Sequence, residues 1–444
     1  MAPGVMNWRA LFNTGRFPDR PARDDPARNP FQIDQDRIVF SRPFRRLQQK
    51  TQVHTMIGNA HVRNRLVHTL EVASIGRSIG FGVGAALRED FAAAGRTPDD
   101  LGYLVQAVCL AHDIGNPPFG HAGEEVIAHF MQDWLAGPGA RSGLELDADL
   151  GFFDGNAQGF RILTRSDGYR ERGGLRLTFA SLGAFIKYPW AATDPRAARR
   201  GTPGVKFNHF ATEAEGFETV LRECGIAGPL PRHPAVWLME AADDITYGLA
   251  DMEDAVELEI VPFRTYRELV MPLTDITEAR LAEEEGIPQK IALLRSAAAG
   301  RLIVAAVEAF CQRQADFLAG QPLRGAKGLT DLLPPELAEP FRALAQANSD
   351  TLYMHPRKVQ FEIGARDVLE KTLGVFLEAS LAFVQAGGNE ERLPLRAQQA
   401  LVLMQDYRPR PGFSASETLR CAIDFVAGMT DDYAANLAAR LRGL

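Results

Sequence analysis

Apolar residues recur every three to four positions along most of the chain, a spacing that is typical of amphipathic helices. From residue 212 to the C-terminus nearly every segment follows this pattern, and no fixed-period repeat connects the segments. Strand signals are few, since only residues 174–190 predict a short strand followed by a helix. The pattern therefore predicts an all-α protein of irregular architecture.

The apolar pattern is weakest at the N-terminus. Residues 1–36 are rich in Arg, Asp, Pro and Asn and predict an extended arm. Phe40, Phe44 and Leu47 then recur at helical spacing and predict an amphipathic helix. A Gly-Asn pair at residues 58–59 predicts a turn after this helix.

The next segment, residues 64–80, has one apolar helical face with His68 on or beside it, formed by Leu66, Leu70, Ala73 and Ile79. The glycines at positions 80, 82 and 84 follow a helix rather than a strand, so they do not form a dinucleotide-binding fingerprint. The strongest loop signals lie in residues 138–155 and 190–205, and we predict the second loop to be mobile.

The composition is that of an ordinary soluble globular protein, with 46% apolar and 24% charged residues among 444. A net charge of −7 argues against a general nucleic-acid coat, although a local basic pocket for a small polyanion stays open. The four cysteines have no CxxC or Cys/His spacing, which predicts reduced thiols. Because no run of about eighteen apolar residues and no signal-peptide pattern occur, we expect a cytoplasmic protein.

Residues 109–125, CLAHDIGNPPFGHAGEE, contain the densest set of side chains that can carry chemistry. An apolar helical run ends in His112 and Asp113, a Gly-Asn-Pro-Pro turn follows, and a second helix begins at His121. Neighbouring side chains at the end of a helix diverge by about 100° and can hold one ion from two directions. The stretch therefore predicts a metal site.

Two further residues complete the predicted ligand set. Asp243 lies among apolar residues of a predicted helix, where an ionised carboxylate is costly unless it is paired or binds a cation, while Asp244 is the predicted exposed partner. His68 alone would be typical of a hydrogen-bonded core histidine. Together with His112 and Asp113 they give two imidazoles and two carboxylates, a set suited to Mg, Mn, Fe, Co or Ni that leaves positions open for water or a phosphate oxygen.

A second candidate pair follows the turn. His121 and Glu124 stand three positions apart, so on a helix they can contact each other, with the carboxylate orienting and charging the imidazole. This arrangement allows acid-base chemistry. The alternative is a histidine that opens a helix near a capping carboxylate.

The order of His68, His112, Asp113 and Asp243 resembles the metal-binding signature of the HD-domain phosphohydrolase superfamily. Blocks between about residues 40 and 260 resemble, in the same order, the deoxynucleoside triphosphate triphosphohydrolase family of the dGTPase type: FRRLQQKTQV, NRLVHTLEV, AHDIGNPPFGHAGE, FDGNAQGFRILTR, IKYPW and EAADDITYGLADMEDAVE. A weaker match continues in LYMHPRKVQFEIGARDVLEKTLGVFL. The resemblance implies an HD-domain helical fold with a helical C-terminal extension, and we divide the chain into an arm (1–36), a catalytic core (37–260) and a C-terminal region packed on it (261–444).

The resemblance also implies an activity, which is metal-dependent hydrolysis of a deoxynucleoside triphosphate at its α-phosphorus to deoxynucleoside and tripolyphosphate, with dGTP as the first candidate. By resemblance, His121 and Glu124 are the catalytic pair, and the cofactor is a divalent ion (Mn, Mg, Co, Fe or Ni). Tyr247 and Asp251, four and eight positions after Asp243, would pack on the deoxyribose and bind its 3′-hydroxyl. The other implied substrate contacts are Gln52 near the base and sugar, and Arg65, Lys187 and Tyr188 at the phosphates.

Asn116 stands where some branches of the family have a histidine, so it would contribute an amide rather than a proton-transferring group. The family forms hexamers or other oligomers, which implies a homo-oligomer, while no membrane partner is implied and single-stranded nucleic acid is allowed but not indicated. Two alternatives stay open. One is an HD phosphohydrolase acting on nucleoside monophosphates or a signalling nucleotide, and the other is a regulatory or single-stranded-nucleic-acid-binding oligomer.

Overall fold

The computed structural model describes residues 5–21, 25, 27–52, 61–165, 173–197, 205–352 and 355–443, without the side chain of Arg357. The turn predicted at residues 58–59 and the centre of the loop predicted to be mobile, residues 198–204, lie outside these ranges. Within the ranges the chain is helical, and its β-type pairings are isolated bridges. The all-α prediction is confirmed. The described helices include none that is long and apolar enough to cross a membrane.

Up to residue 257 the helices are α1 (Trp8–Leu11), α2 (Pro30–Val39), α3 (Arg42–Arg46), α4 (Arg65–Ala86), α5 (Arg88–Ala93), α6 (Pro98–Ala111), α7 (Gly120–Trp134), α8 (Gly155–Thr164), α9 (Phe179–Phe185), α10 (Ala214–Glu223) and α11 (Ala235–Glu257). The chain continues with α12 (Phe263–Val270), α13 (Glu278–Ala282), α14 (Ile287–Leu318), α15 (Pro335–Leu352), α16 (Pro356–Gln385), α17 (Leu395–Leu403), α18 (Ala415–Ala427) and α19 (Asp431–Leu441). The helices predicted after residue 212 are confirmed.

The short strand predicted within residues 174–190 is wrong, whereas the helix predicted after it is confirmed as α9. Thr178 is the N-cap of α9, and its backbone N–H and its hydroxyl donate to Asp34 at 3.0 and 2.6 Å. The hydroxyl of Ser181 donates to the same carboxylate at 2.7 Å. The buried carboxylate of Asp34 thus fixes the start of α9 directly after an extended segment. In the described residues this segment takes part in a single β-bridge and not in a strand.

The predicted extended arm at the N-terminus differs from the structure, because α2 begins at Pro30 within it. Asn29 caps α2 reciprocally: its side chain accepts from the N–H of Phe31, and its own N–H donates to Gln32. Phe31 and Phe12 are fully buried in the main hydrophobic core. The segment is therefore packed rather than extended, and the Asn-Pro signal before α2 explains where its helix begins.

The helical face predicted for Phe40, Phe44 and Leu47 is interrupted. Phe40 ends α2 and is 78% exposed, and α3 begins after Ser41, whose hydroxyl accepts from the N–H of Phe44. Phe44 and Leu47 alone enter the core. In α4, likewise, Leu70 lies on the exposed side.

The antiparallel pair α4 and α6 packs closely, which brings together the two helix ends that carry candidate ligands. A Cβ atom at Gly80 would lie 2.7 Å from the Cα atom of Gly102, and one at Gly84 would lie 1.9 Å from the carbonyl oxygen of Pro98. Neither place has room for a side chain, so the glycines permit the close contact between the helices. The closely spaced glycines of α4 therefore serve the packing of this helix.

Two large hydrophobic clusters hold the helices together. The first runs from the N-terminal segment through α15 and includes α4, α6, α11 and α14, while the second joins α7 to α16, α17, α18 and α19. After α15 the buried residues of the first cluster end at Leu352, and those of the second resume at Ala365. The predicted division of the chain at residues 36 and 260 stays a prediction. The helix that carries His121 and Glu124 thus packs on the C-terminal helices.

Candidate active site

The four predicted metal ligands lie together at the start of α4, just after α6 and in the middle of α11. We call His68, His112, Asp113 and Asp243 the four-residue cluster. Oδ1 of Asp243 lies 3.1 Å from Nε2 of His68 and 3.7 Å from Nε2 of His112. Nε2 of His112 also lies 3.7 Å from Oδ1 of Asp113. His68, His112 and Asp113 each offer a ligand atom within 4.8 Å of the others, so these three could hold one metal ion. Asp243 lies beside this group through its contacts with the two histidines.

Hydrogen bonds orient two members of the cluster. Nδ1 of His112 donates to the carbonyl oxygen of Cys109, 2.6 Å away, which leaves the lone pair of Nε2 directed at the cluster. Asp113 accepts from the guanidinium of Arg65 at 2.7 Å and from the side-chain amide of Asn116. Outer contacts of this kind fix the direction in which metal ligands point.

Neighbouring imidazole and guanidinium groups compensate the negative charges of the two carboxylates in the cluster. Burial would raise the pKa of Asp243, but His112 and His68 lower it to about 2. Burial likewise opposes the ionisation of Asp113, and Arg65 with the two histidines holds its pKa well below the usual range. Burial disfavours the charged form of His68, yet its contact with Asp243 raises the pKa of the imidazole. Both carboxylates are therefore ionised and suited to a cation.

The second candidate pair, His121 and Glu124, lies on the first turn of α7, and we call it the acid-base pair. Nδ1 of His121 is 3.0 Å from Oε2 of Glu124. The side chain of His121 is 80% exposed and that of Glu124 only 9%. Oε1 of Glu124 accepts from the backbone N–H of Gly155 at 2.7 Å. A fixed carboxylate thus orients an imidazole that a ligand can reach.

Two charged residues that the sequence reasoning did not single out join this pair. Nζ of Lys206 lies 3.1 Å from Oε2 of Glu124 and 3.3 Å from Oδ2 of Asp154. Burial would raise the pKa of Glu124, but Lys206 and His121 lower it to about 2. Burial and the charge of Glu124 raise the pKa of Asp154 to about 6. Lys206 therefore lies between two buried carboxylates and keeps Glu124 ionised.

The sequence signals for Asp154 and Lys206 differ in strength. Asp154 belongs to the block FDGNAQGF and caps α8, because its carboxylate accepts from the N–H of Asn156 at 2.7 Å. An acidic residue directly before a helix is a signal that a sequence can show. Lys206 has no local pattern, and its contact with Glu124 joins residues 82 positions apart.

Gly155 lies between the four-residue cluster and the acid-base pair. A Cβ atom at Gly155 would lie 2.3 Å from Oδ1 of Asn116 and 2.7 Å from Oε1 of Glu124. Asn116 in turn donates to Asp113 of the cluster. The backbone at Gly155 therefore lies against one residue from each half of the candidate site, and a side chain there would displace both Asn116 and Glu124.

Tyr247 and Asp251 lie one and two turns after Asp243 on α11, as the sequence spacing requires. Tyr247 is half-buried and Asp251 is 3% exposed. Burial raises the pKa of Asp251 well above its ordinary value, although the nearby charge of His68 opposes this. Oδ2 of Asp251 and Nδ1 of His68 are buried without a hydrogen-bond partner in the described part of the chain. Unpaired atoms of this kind are costly unless a ligand completes them.

Gln52 and Arg65 lie on either side of the bridge between Thr51 and Asn64. Oε1 of Gln52 is buried and has no hydrogen-bond partner among the described residues. The guanidinium of Arg65 contacts Asp113 and so brings a positive charge to the edge of the four-residue cluster. Arg65 therefore borders the cluster from the α4 side, and Gln52 follows the bridge that holds the segment before α4.

Lys187 and Tyr188 follow α9 and approach the cluster from the α11 side. Nζ of Lys187 lies 3.5 Å from Oε1 of Glu240 and 5.8 Å from the centre of the Tyr188 ring. Burial opposes the charge of Lys187, but Tyr188, Glu240 and Asp243 raise its pKa above the ordinary value. The N–H of Tyr188 donates to Asn208 at 2.7 Å. Lys187 is thus a cation within electrostatic range of Asp243.

Comparison with known proteins gives the family. Residues 332–440 match a family model described as a phosphohydrolase-associated domain. A deoxyguanosinetriphosphate triphosphohydrolase-like protein of Pseudomonas aeruginosa is 40% identical over 453 aligned residues, which cover 99% of each chain. The similarly named protein of Synechocystis is 35% identical over 99% of this chain and 100% of that protein. A deoxyguanosinetriphosphate triphosphohydrolase of Klebsiella pneumoniae is 36% identical over 57% of this chain and 55% of that protein.

The two full-length matches cover all the blocks on which the family was predicted, together with the C-terminal helices. The predicted resemblance is therefore confirmed. The chain belongs to the family of deoxyguanosinetriphosphate triphosphohydrolase-like proteins, a family of hydrolases.

Proposed function

We propose that the protein is a metal-dependent deoxynucleoside triphosphate triphosphohydrolase, with dGTP as the first candidate substrate. The observation that carries the proposal is the position of the four-residue cluster beside an exposed acid-base pair. The names of the relatives support the substrate class. A set of two imidazoles and two carboxylates suits Mn, Mg, Fe, Co or Ni, and an ion held there would polarise the α-phosphorus and position a water molecule.

The acid-base pair supplies the proton transfer in this proposal. Water bonds to the α-phosphorus, the bond from phosphorus to the 5′-oxygen breaks, and the protonated imidazole of His121 delivers a proton to the departing oxygen. The proton that the attacking water loses restores the imidazolium, so the step balances. Glu124 holds the proton on Nδ1, so that the exposed edge of the ring faces the ligand. The products are a deoxynucleoside and intact tripolyphosphate.

Unpaired buried atoms support the proposed nucleoside contacts. The free oxygens of Asp251 and Gln52 are both suited to accept a hydrogen bond from a ligand, which for Asp251 would be the 3′-hydroxyl of the sugar. Tyr247 lies one turn before Asp251 and would pack on the deoxyribose, where a 2′-hydroxyl would not fit. Arg65, Lys187 and Tyr188 would contact the phosphates.

The deciding experiment is product identification. Purified protein is incubated with each deoxynucleoside triphosphate and, separately, with nucleoside monophosphates in Mn²⁺ or Mg²⁺, and products are separated by anion-exchange chromatography. We expect deoxynucleoside and tripolyphosphate in equal amounts, since only attack at the α-phosphorus of a triphosphate releases both. Orthophosphate released from a monophosphate would favour the alternative HD phosphohydrolase, and nucleic-acid binding without turnover would favour the regulatory alternative.

The 3′-hydroxyl contact has a test of its own. The unchanged protein should hydrolyse dGTP with a KM about tenfold lower than that for 2′,3′-dideoxyGTP, because one buried hydrogen bond contributes about 1 kcal/mol or more. Asp251→Ala should remove this difference by raising the KM for dGTP alone. A variant that still distinguishes the two nucleotides would contradict the assignment of Asp251. The homo-oligomeric state stays a prediction, which sedimentation analysis would check.

A further inference from the structure

A carboxylate from the C-terminal helices holds two backbone N–H groups beside the candidate active site. Asp431 is the first residue of α19 and is 7% exposed. Its Oδ1 accepts from the N–H of Phe119 at 3.0 Å, and its Oδ2 accepts from the N–H of Thr51 at 2.8 Å. Because each oxygen holds a different segment, the carboxylate fixes the distance between the two segments.

Both segments lead directly to candidate site residues. Phe119 is the N-cap of α7 and stands two positions before His121. Its φ of 65° is unusual for a residue with a Cβ atom, and such a conformation persists only where the surroundings hold it. Its ring packs edge-on against Phe361 of α16, with ring centres 5.0 Å apart. The C-terminal helices therefore hold this residue by its N–H and by its ring.

The C-terminal helices also hold the segment that contains Thr51. Thr51 directly precedes Gln52, whose side-chain Oε1 has no hydrogen-bond partner among the described residues. The neighbouring Lys50 is 4% exposed and donates to the carbonyl oxygen of Ala427 at the end of α18, 3.0 Å away, as well as to that of Asn116. A buried lysine that bridges two carbonyl oxygens links the C-terminal helices to the turn after α6.

We propose that Asp431 is a positioning residue that aligns His121 with the nucleoside-binding residue Gln52, and that the C-terminal helices thereby control the geometry of the active site. The inference rests on the proposed function, since the two aligned residues have their roles there. It predicts that loss of the carboxylate affects kcat through the Phe119 contact and KM through the Thr51 contact.

The chain offers matched controls for the test. Asp432 carries the same charge one position later but is exposed. Thr430 is the N-cap of α19, and its hydroxyl accepts from the N–H of Tyr433 at 3.3 Å. Thr430→Ala therefore weakens the same helix without removing the carboxylate. Asp431→Asn keeps the shape of the side chain and one accepting oxygen, so it remains testable if Asp431→Ala does not fold.

Two measurements are made on the full chain with Asp431→Ala, Asp431→Asn, Asp432→Asn and Thr430→Ala. The first is hydrogen–deuterium exchange of peptides that cover residues 47–52 and 115–122. The second is kcat and KM for dGTP hydrolysis. We expect Asp431→Ala to accelerate exchange in both peptides, to lower kcat about 10-fold to 100-fold and to raise KM, since small displacements of catalytic groups have effects of this size. Asp431→Asn should be intermediate, and the two controls should stay within about twofold of the unchanged protein.

Equal losses of kcat in Thr430→Ala and Asp431→Ala would overturn the proposal, because the effect would then be one of helix stability. Unchanged exchange in Asp431→Ala would overturn it as well. If the unchanged protein releases no tripolyphosphate, the proposed function fails, and the exchange measurement alone then decides whether Asp431 holds the two segments.

Discussion

The two halves of the candidate active site differ in exposure and in the arrangement of charge. In the four-residue cluster the side chains of His68, His112, Asp113 and Asp243 are 1%, 9%, 13% and 30% exposed, and carboxylates face imidazoles. In the acid-base pair the carboxylate is buried, but its imidazole is 80% exposed. A group that holds an ion needs a fixed charge, whereas a group that transfers a proton must reach its ligand. The contrast therefore supports the proposed separation of ion binding from proton transfer within one site.

The largest expected effect comes from the cluster. Asp243→Asn removes an ionised carboxylate, so metal content should fall and turnover should drop about a thousandfold or more, because the ion's stabilisation of the transition state is several kcal/mol. Metal content is measured by mass spectrometry after gel filtration, and turnover by deoxyguanosine release. Asp244→Asn is the matched control, since this exposed neighbour accepts from Thr330 at 2.9 Å instead. Unchanged metal content in Asp243→Asn would remove Asp243 from the ligand set.

The acid-base pair should respond differently. His121→Ala should lower kcat about 100-fold to 10,000-fold, the usual contribution of a positioned acid or base, while metal content stays unchanged. His129→Ala, on the same helix, is the control, since His129 is exposed and contacts the carbonyl oxygen of Glu125. If His121→Ala lost metal as well, the distinction between the two halves would break down, because His121 would then be a ligand.

The sequence allowed the cluster to be predicted because its members follow local patterns. His112 and Asp113 end an apolar helical run, and Asp243 lies among apolar residues of α11. Residues whose roles depend on tertiary contacts could not be found in this way. Lys206 acts on a carboxylate 82 positions away, and Asp431 contacts an N–H group 312 positions away. No local periodicity encodes such distances.

The same limit applies to parts of the fold. The long helices were predictable from their apolar spacing, including α11 and α14. The predicted strand before α9 failed because the buried carboxylate of Asp34, from a distant segment, holds the N-cap Thr178 and so fixes the start of the helix. Phe40 was expected to share one amphipathic helix with Phe44 and Leu47 but is exposed at the end of α2, since Ser41 starts a new helix after it.

Asn116 should give an intermediate effect, because it lies between the two halves. Asn116→Ala removes the amide that orients Asp113, and loss of such an outer contact typically lowers metal affinity or activity about 10-fold to 100-fold. Excess Mn²⁺ should then restore most of the turnover of Asn116→Ala but none of that of His121→Ala. Failure of excess metal to restore Asn116→Ala would indicate that Asn116 acts on the substrate or on Glu124 instead.

The smallest effect concerns the pH dependence of the acid-base pair. Lys206 helps to lower the pKa of Glu124 to about 2, so Glu124 is ionised throughout the physiological range. Lys206→Met removes this cation but leaves the carboxylate of Asp154, whose Oδ2 lies 3.3 Å from Nζ of Lys206 in the unchanged protein. The pKa of Glu124 should therefore rise. If the ionised form is the active one, activity is lost as the pH falls through this pKa. The acid limb of kcat/KM should therefore move to higher pH, by about one to two units for the loss of one adjacent opposite charge.

Two further variants serve as controls for Lys206→Met. Lys206→Arg keeps the positive charge, so its acid limb should stay close to that of the unchanged protein. Asp154→Asn removes a negative charge beside Glu124, which makes ionisation of Glu124 easier, so its acid limb should not move upward. The profile is measured as kcat/KM for dGTP from about pH 3 upward, because a rise of about one to two units from a pKa of about 2 brings that of Glu124 to about 3 to 4. An acid limb that stays in place in Lys206→Met would mean that Lys206 neutralises Asp154 alone, and the buried carboxylate of Glu124 would then need only His121 to stay ionised.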